Sequence, residues 1–435
     1  MTDLDAYWMP FTANRAFKKN PRILSSAKGR YYRDTQGREL LDGFSGLWTT
    51  GLGHCHPDIV AAVQKQVATL DYALAFQAGH ERVFELANEL VKIAPPGMSR
   101  VFFTNSGSES VDTALKIALA YHRARGEGTR TRFIGRERGY HGVNFGGTSL
   151  GGMPANRKAF SSAMSPGTVH IRHTHSPADM AFSRGQPGWG AHLADDLERQ
   201  ILLHDPANVA ALIVEPVSGS GGVLVPPVGY LERLREICTR YGVLLILDEV
   251  ITAFGRIGHA FGAQRFNIAP DMITVAKGLT NGVVPMGAVL ARDEIYQSLM
   301  QGPEETIELF HGYTYSGHPL AVAAGLATLS VYQRDNIFAA TRAREAFFER
   351  SLHSLRGEPN VTDIRNIGLM GAVDIAPRPG APGARGMDVF LRCWQEGVVI
   401  RATGDTVVFS PIFDTTDAEF ERIFSTVRKA LQSLA

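Results

Sequence analysis

From about residue 100 to residue 290 the chain carries a series of short, uninterrupted apolar runs: V-F-F-T at 101, V-A-A-L-I-V at 209, G-V-L-L-I-L at 242, M-I-T-V-A at 272 and M-G-A-V-L-A at 286. None alternates apolar with polar residues, so each reads as a strand covered on both faces, the pattern of a parallel sheet. Between them lie stretches such as E-S-V-D-T-A-L-K-I-A-L-A-Y-H-R and Y-L-E-R-L-R-E-I-C-T-R-Y, apolar at three-to-four spacing with charges on the other side. These are the crossover helices. The expected fold is therefore α/β, a mostly parallel sheet sandwiched by helices.

With 435 residues the chain exceeds one ordinary domain. A helical pattern from about Pro319 to Leu355 is expected to bridge a large domain, residues 51–320, to a smaller C-terminal one, residues 321–435. The Gly/Pro-rich stretch R-P-G-A-P-G-A-R-G at 378–386 reads as a loop. Within residues 1–50, strand-like pieces surround a D-T-Q-G turn, and this segment is expected to pack with the C-terminal domain into one small α+β unit.

Forty-four Lys and Arg against 43 Asp and Glu leave a net charge of +1, which gives no electrostatic case for nucleic acid or an anionic membrane. No apolar run approaches the roughly 20 residues that span a bilayer, and the start lacks a basic region followed by an apolar one. Cys55, Cys238 and Cys393 lack metal-ligand or disulfide spacing and read as packing residues in a reducing compartment. The expectation is a soluble, cytoplasmic protein without a metal, acting on small molecules.

Lys277 ends one of the apolar runs, where a lysine either reaches for solvent or is covalently occupied. Asp248 ends another, L-L-I-L-D, which puts it near the carboxyl end of a strand, where open α/β sheets bind ligands. A helix cap or a salt-bridged core edge is the plain alternative for it. T-N-S-G-S-E-S, residues 104–110, runs from a strand into a helix, so the N–H groups of Gly107 and Ser108 can point at an anion, although a simple capped helix start reads the same way. G-Y-H-G at 139–142 leaves Tyr140 on a tight loop, able to stack on a flat ring or merely to pack. Taken together, an amine, a carboxylate, an anion cup and an aromatic ring at strand ends are what pyridoxal phosphate needs. The lysine holds its aldehyde as a Schiff base and later serves as the base that moves a proton.

The same segments resemble the fold-type I, class III pyridoxal-phosphate aminotransferases, over nearly the whole chain and most closely in their omega-amino acid–pyruvate (beta-alanine–pyruvate) branch. The resemblance is carried by W-M-P-F-T-A-N-R at 8, S-G-L-W-T at 45, S-G-S-E at 106, I-G-R-E-R-G-Y-H-G-V-N at 134, E-P-V-S-G-S-G-G-V-L-V-P-P at 215, D-E-V-I-T-A-F-G-R at 248, A-K-G-L-T-N-G at 276 and H-G-Y-T-Y-S-G-H-P at 311.

It implies a ping-pong transaminase moving an amino group from an omega-amino acid or primary amine to pyruvate. Lys277 would be the Schiff-base lysine, Asp248 the partner of the pyridine nitrogen, and Val250 the residue packed on the ring face opposite Tyr140. Gly107 and Ser108 would bind the phosphate. Thr314 would reach the phosphate of the neighbouring subunit, which makes the unit a homodimer with composite sites, alone or paired into a tetramer. Trp48 and Phe11 would wall the substrate pocket, and Arg401 would grip the keto-acid carboxylate in a two-bond fork.

Two positions depart from the family's patterns. Ser220, five residues after Glu215, stands where relatives acting on ornithine or 4-aminobutyrate park the arginine on a glutamate, and Val408 stands where the nearest pattern has a glutamine. The first favours the omega-amino acid–pyruvate branch; the second implies an apolar wall that tolerates larger amines. Other carbanion reactions of the family, a decarboxylation or an amino shift, and a non-catalytic binding protein on the same fold remain as alternatives. Retention of Lys277 and Asp248 argues against the last. A nucleotide-binding oxidoreductase would need a G-x-G-x-x-G that N-S-G-S-E-S does not supply.

Overall fold

A computed structural model describes residues 3–434. Its central sheet has the strand order Met98–Thr104, Gly287–Arg292, Met272–Val275, Leu244–Asp248, Val209–Val214, Arg132–Glu137 and Gly151–Gly152, with Thr168–Ile171 also paired to Arg132–Glu137. Val209–Val214 and Leu244–Asp248 are buried at every residue, which is why their sequences show no alternation. Helix Gly107–Ala124 lays Val111, Ala114, Leu115 and Ala118 against the strands, and Tyr230–Tyr241 buries Leu231, Leu234, Ile237 and Cys238. The latter ends at Gly242, whose φ of 65° closes the helix in the left-handed conformation that glycine adopts freely.

One strand departs from the parallel expectation. Gly287–Arg292 runs antiparallel to both of its neighbours. Only the eleven residues 276–286, shaped by one short turn, separate it from Met272–Val275. A parallel return needs a crossover of roughly a dozen residues or more, usually helical, so the chain reverses instead. Lys277 sits in that reversal.

Two smaller sheets lie outside this layer. Leu24–Lys28, Tyr31–Asp34 and Glu39–Asp42 form an antiparallel meander, and Val398–Val399 from the C-terminal part adds to Glu39–Asp42 in parallel. The D-T-Q-G turn is tied by the Asp34 carboxylate, which accepts the N–H groups of Gln36 and Arg38 at 2.9 and 3.0 Å. The other sheet is antiparallel, in the order Val361–Ile367, Met370–Ile375, Thr406–Phe409, Arg401–Thr403.

Three local expectations are corrected. The helical pattern from Pro319 to Leu355 is two helices, Pro319–Arg334 and Ile337–His353, broken where Asn336 takes a φ of 48°. The loop expected at 378–386 gives way at Ala384 to the helix Ala384–Gln395, whose start is held by the Asp405 carboxylate accepting from Gly383 and Gly386. Cys55 is exposed, so of the three cysteines only Cys238 and Cys393 are packing residues. Among the described residues no helix is long and apolar enough to cross a membrane.

Candidate active site

The carboxyl ends of the parallel strands bring together residues from five separate stretches. Asp248, the last residue of Leu244–Asp248, is buried, and one of its oxygens lies 2.8 Å from Nδ1 of the buried His141. Its other oxygen accepts the Thr274 hydroxyl at 3.0 Å and the Val250 N–H at 3.2 Å. Thr274 is the residue directly opposite Asp248 in the parallel ladder. A carboxylate fixed on both oxygens in this way is set to face a cation beside it.

Lys277 follows two residues beyond the end of Met272–Val275, with a φ of 42° that a non-glycine residue rarely adopts. Strain of this kind persists only where the surroundings over-determine it. Its amine makes no hydrogen bond or ion pair among the described residues. Desolvation pulls it down to about 8, against the opposing pull of Asp248 and Glu215, and Arg401 lowers it further. A lysine this poorly compensated is chemically available rather than structural.

The helix Gly107–Ala124 begins as the sequence predicts. The Ser106 side chain accepts the Glu109 N–H, and the Ser110 N–H closes onto the Ser106 carbonyl. The N–H groups of Gly107 and Ser108 are left without an acceptor among the described residues, at the positive end of an 18-residue helix. A Cβ on Gly107 would lie 3.0 Å from both Val250 methyl groups, which places Val250 over this helix start. The G-Y-H-G loop lies against it as well: Gly142 has a φ of 89°, and a Cβ there would stand 2.4 Å from the Ser108 hydroxyl oxygen. Only glycine permits that approach.

Tyr140 is half-buried on the same loop, its N–H donating to the Glu215 carboxylate at 3.0 Å. Burial raises the Tyr140 phenol, and the charges of Asp248 and Arg401 both reach it. Arg401 opens the edge strand Arg401–Thr403; desolvation pulls its guanidinium below the ordinary value while Tyr140 opposes. The charges of Asp248, Glu215 and Arg401 thus reach both Tyr140 and Lys277.

The remaining expected residues make no hydrogen bond or ion pair with this group in the single chain; within the group, Asp248 and Glu215 are buried, Tyr140 and Lys277 half-buried and Arg401 exposed. Phe11 is 73% exposed and Thr314 is exposed, the Thr314 carbonyl accepting from the Tyr72 hydroxyl at 3.0 Å. Trp48 is buried, its ring 4.8 Å from that of Phe44, and its neighbour Leu47 is the exposed one.

Three contributors were not read from the sequence. His141 sits inside the quoted G-Y-H-G, but a lone histidine beside a tyrosine gives no sign of facing a carboxylate. Thr274 was visible as the one hydroxyl in M-I-T-V. Glu215 takes the Tyr140 and Gly219 N–H groups, and burial pushes its carboxyl up. The Nε2 of His141 is buried without a hydrogen-bond partner among the described residues.

These residues fit pyridoxal phosphate: an unpaired amine for its aldehyde, a buried carboxylate for its ring nitrogen, free N–H groups at a helix start for its phosphate. A separate cluster, His175, Asp363 and Asp374, has the spacing of a metal site, but the Arg365 guanidinium already binds both carboxylates at 2.6 and 2.7 Å.

Residues 12–431 match the family model described as aminotransferase class-III. The chain is 56% identical to an omega-aminotransferase of Caulobacter vibrioides, over 99% of this chain and 98% of the relative. It is 51% identical to a beta-alanine–pyruvate aminotransferase of Pseudomonas aeruginosa, over 100% and 97% of the two chains. Among solved structures, the omega transaminase from Pseudomonas jessenii in complex with PMP superposes with a TM-score of 0.93 at 33% identity, covering 98% of this chain and 96% of that one.

Proposed function

The chain belongs to the class-III aminotransferases and is a pyridoxal-phosphate-dependent enzyme, and from that premise we propose the reaction and the roles of its residues. An omega-amino acid of the beta-alanine kind, or a primary amine, gives up its amino group, and pyruvate then takes it to become alanine. The single observation that carries this reading is Lys277: a residue on a strained backbone whose amine is lowered by desolvation and feels the charges of Asp248, Glu215 and Arg401. The full-length relatives named for omega-amino acids and pyruvate support the choice of substrates, and they do not favour a decarboxylase, an aminomutase or a non-catalytic protein.

When bound, pyridoxal phosphate supplies an aldehyde that carries the amino group and a ring that accepts the electrons of the donor's C–H bond. Lys277 would hold that aldehyde. The free Lys277 amine would be the base that takes up and gives back the proton of the donor carbon. Its lowered proton affinity leaves a useful share of it neutral near pH 7. Asp248 would hold the ring nitrogen, and His141 and Thr274 hold Asp248 in position. Gly107 and Ser108 would bind the phosphate, and Val250 and Tyr140 would pack against the ring. Arg401 grips the carboxylate of the keto acid, and with Ser220 in place of a glutamate it has no parking partner there. Trp48 and Phe11 wall the substrate pocket.

The exposed Thr314 completes the phosphate site of a second copy, so the working unit is a cytoplasmic homodimer. The domain limits near residues 50 and 320 belong to the same proposal.

The test is an absorbance titration of the purified protein loaded with pyridoxal phosphate. Beta-alanine should abolish the visible band and pyruvate should restore it with formation of alanine, in the wild type but not in Lys277→Ala. A band indifferent to beta-alanine would overturn the donor, and one restored by other keto acids but not by pyruvate would overturn the acceptor.

A further inference from the structure

Two strained stretches of chain are braced against each other beside this site. In one, the turn after Met272–Val275, Lys277, Asn281 and Gly282 have φ values of 42, 49 and 71°. In the other, Ser45, Gly46 and Trp48 have φ values of 47, 66 and 64°. Conformations of this kind are costly for the three non-glycine side chains other than asparagine and need outside support.

The support is visible at both ends of the second stretch. The buried Asp42 carboxylate accepts the N–H groups of Phe44 and Gly46 at 2.9 and 2.7 Å and pairs with His54 at 2.8 Å, and Arg256 donates to the Ser45 hydroxyl at 3.1 Å. Beyond Trp48, the Asn281 side chain takes over. Its Oδ1 accepts the Leu52 N–H at 2.9 Å and its Nδ2 donates to the Gly53 carbonyl at 2.8 Å. Asn281 is 1% exposed, so both ends of its amide are committed to one dipeptide. Within the turn, the Gly282 N–H donates to the Lys277 carbonyl at 3.2 Å, and a Cβ on Gly282 would meet the Thr49 Cβ at 3.0 Å. Trp48 is held between these anchors, and one of them is built on the same six-residue turn as the lysine.

We infer that Asn281 is a positioning residue that fixes the Trp48 wall relative to the Lys277 amine, and thereby sets which size of amine is accepted. This rests on the reading of Trp48 as a pocket wall and Lys277 as the reacting amine. A residue needed only for its left-handed backbone would be replaced without consequence by glycine, which adopts that backbone freely but has no amide. A residue needed for its two hydrogen bonds would not.

The experiment is a double-substitution cycle on the holoenzyme with pyruvate as acceptor. The kcat/KM ratio for 1-phenylethylamine over beta-alanine is measured in wild type, Asn281→Gly, Trp48→Ala and the double variant. Asn281→Gly should shift that ratio about three- to tenfold, the scale of one or two lost hydrogen bonds. In the double variant the shift should not exceed that of Trp48→Ala alone. An unchanged ratio in Asn281→Gly, or two effects that multiply independently, would overturn the inference while leaving the pocket reading intact. A Trp48→Ala variant with the wild-type ratio would overturn both. If Asn281→Gly does not fold, Gly282→Ala strains the same joint against Thr49 and must move the ratio; failure to do so counts against the inference equally.

Discussion

Arg401 and Val408 are directly opposed residues in the antiparallel pair Arg401–Thr403 and Thr406–Phe409, so their side chains emerge on the same face of the sheet. A glutamine at 408 would therefore stand beside the guanidinium and could share its anionic ligand; the valine offers only methyl groups, buried at 2% exposure. Val408→Gln should raise kcat/KM for beta-alanine relative to 1-phenylethylamine by about tenfold, the worth of one hydrogen bond to a charged group. Steady-state kinetics with both donors checks this, and a ratio that falls or stays put would refute the apolar-wall argument.

The lowered Lys277 amine gives the cofactor-free protein a pH signature. Its folded value of about 8 lies below the ordinary 10.5, so the favourable contribution is present above pH 10.5 and is lost as pH falls to about 8. Lys277→Met, of similar length and uncharged, should melt higher than the wild type in the cofactor-free state at pH 7. The difference should shrink from pH 8 upward. Melting curves across that range decide it; a gap that does not vary with pH would show that the amine is better solvated than its surroundings imply.

His141 is predicted to act through Asp248. His141→Phe keeps a ring in the space and removes the 2.8 Å bond, so the carboxylate loses its charge-assisted partner. Cofactor affinity should drop about 10- to 100-fold, and the pH dependence of the bound cofactor's absorbance should shift, because Asp248 no longer holds the ring proton as firmly. His141→Asn, which retains a donor, should recover part of both. A variant with weakened binding but an unshifted absorbance profile would assign His141 to packing alone.

Glu419 joins the two ends of the chain. Burial pushes its carboxyl up, but hydrogen bonds from Arg30, Thr416 and Tyr31 outweigh that and hold it down to about 2. Its contribution to stability is therefore present above about pH 4.5 and is lost as pH falls toward 2. Glu419→Gln should lower the melting temperature at pH 7, and the two proteins should converge in acid. Parallel curves down to pH 3 would contradict this.

How much of this was legible varied with the kind of information each residue carries. The Asp248 strand end could be read because total burial erases alternation, and the Gly107 helix start because serine and glycine before an apolar stripe have few other uses. Burial on both faces says nothing about direction, so Gly287–Arg292 read like its parallel neighbours; only the shortness of residues 276–286 held the answer. The pairing of Arg401 with Val408 was within reach, since the two residues Gly404 and Asp405 between the strands are a tight hairpin loop that fixes register. The His141–Asp248 bond and the Asn281 brace were not, because they join groups 107 and 229 positions apart and leave no periodic trace.

The Asn281 brace also imposes an order of assembly. The pairing of Met272–Val275 with Gly287–Arg292 is local, and the reversal containing Lys277 can form as soon as that stretch of chain exists. Leu52 and Gly53 lie more than 220 positions upstream, and no contact so distant in sequence can be made until the intervening chain has been synthesised and its loop closed. A growing chain must therefore carry the Leu52 N–H and the Gly53 carbonyl without their Asn281 partner until residue 281 has left the ribosome. The wall that this early stretch brings cannot take its final place before the lysine turn has been made.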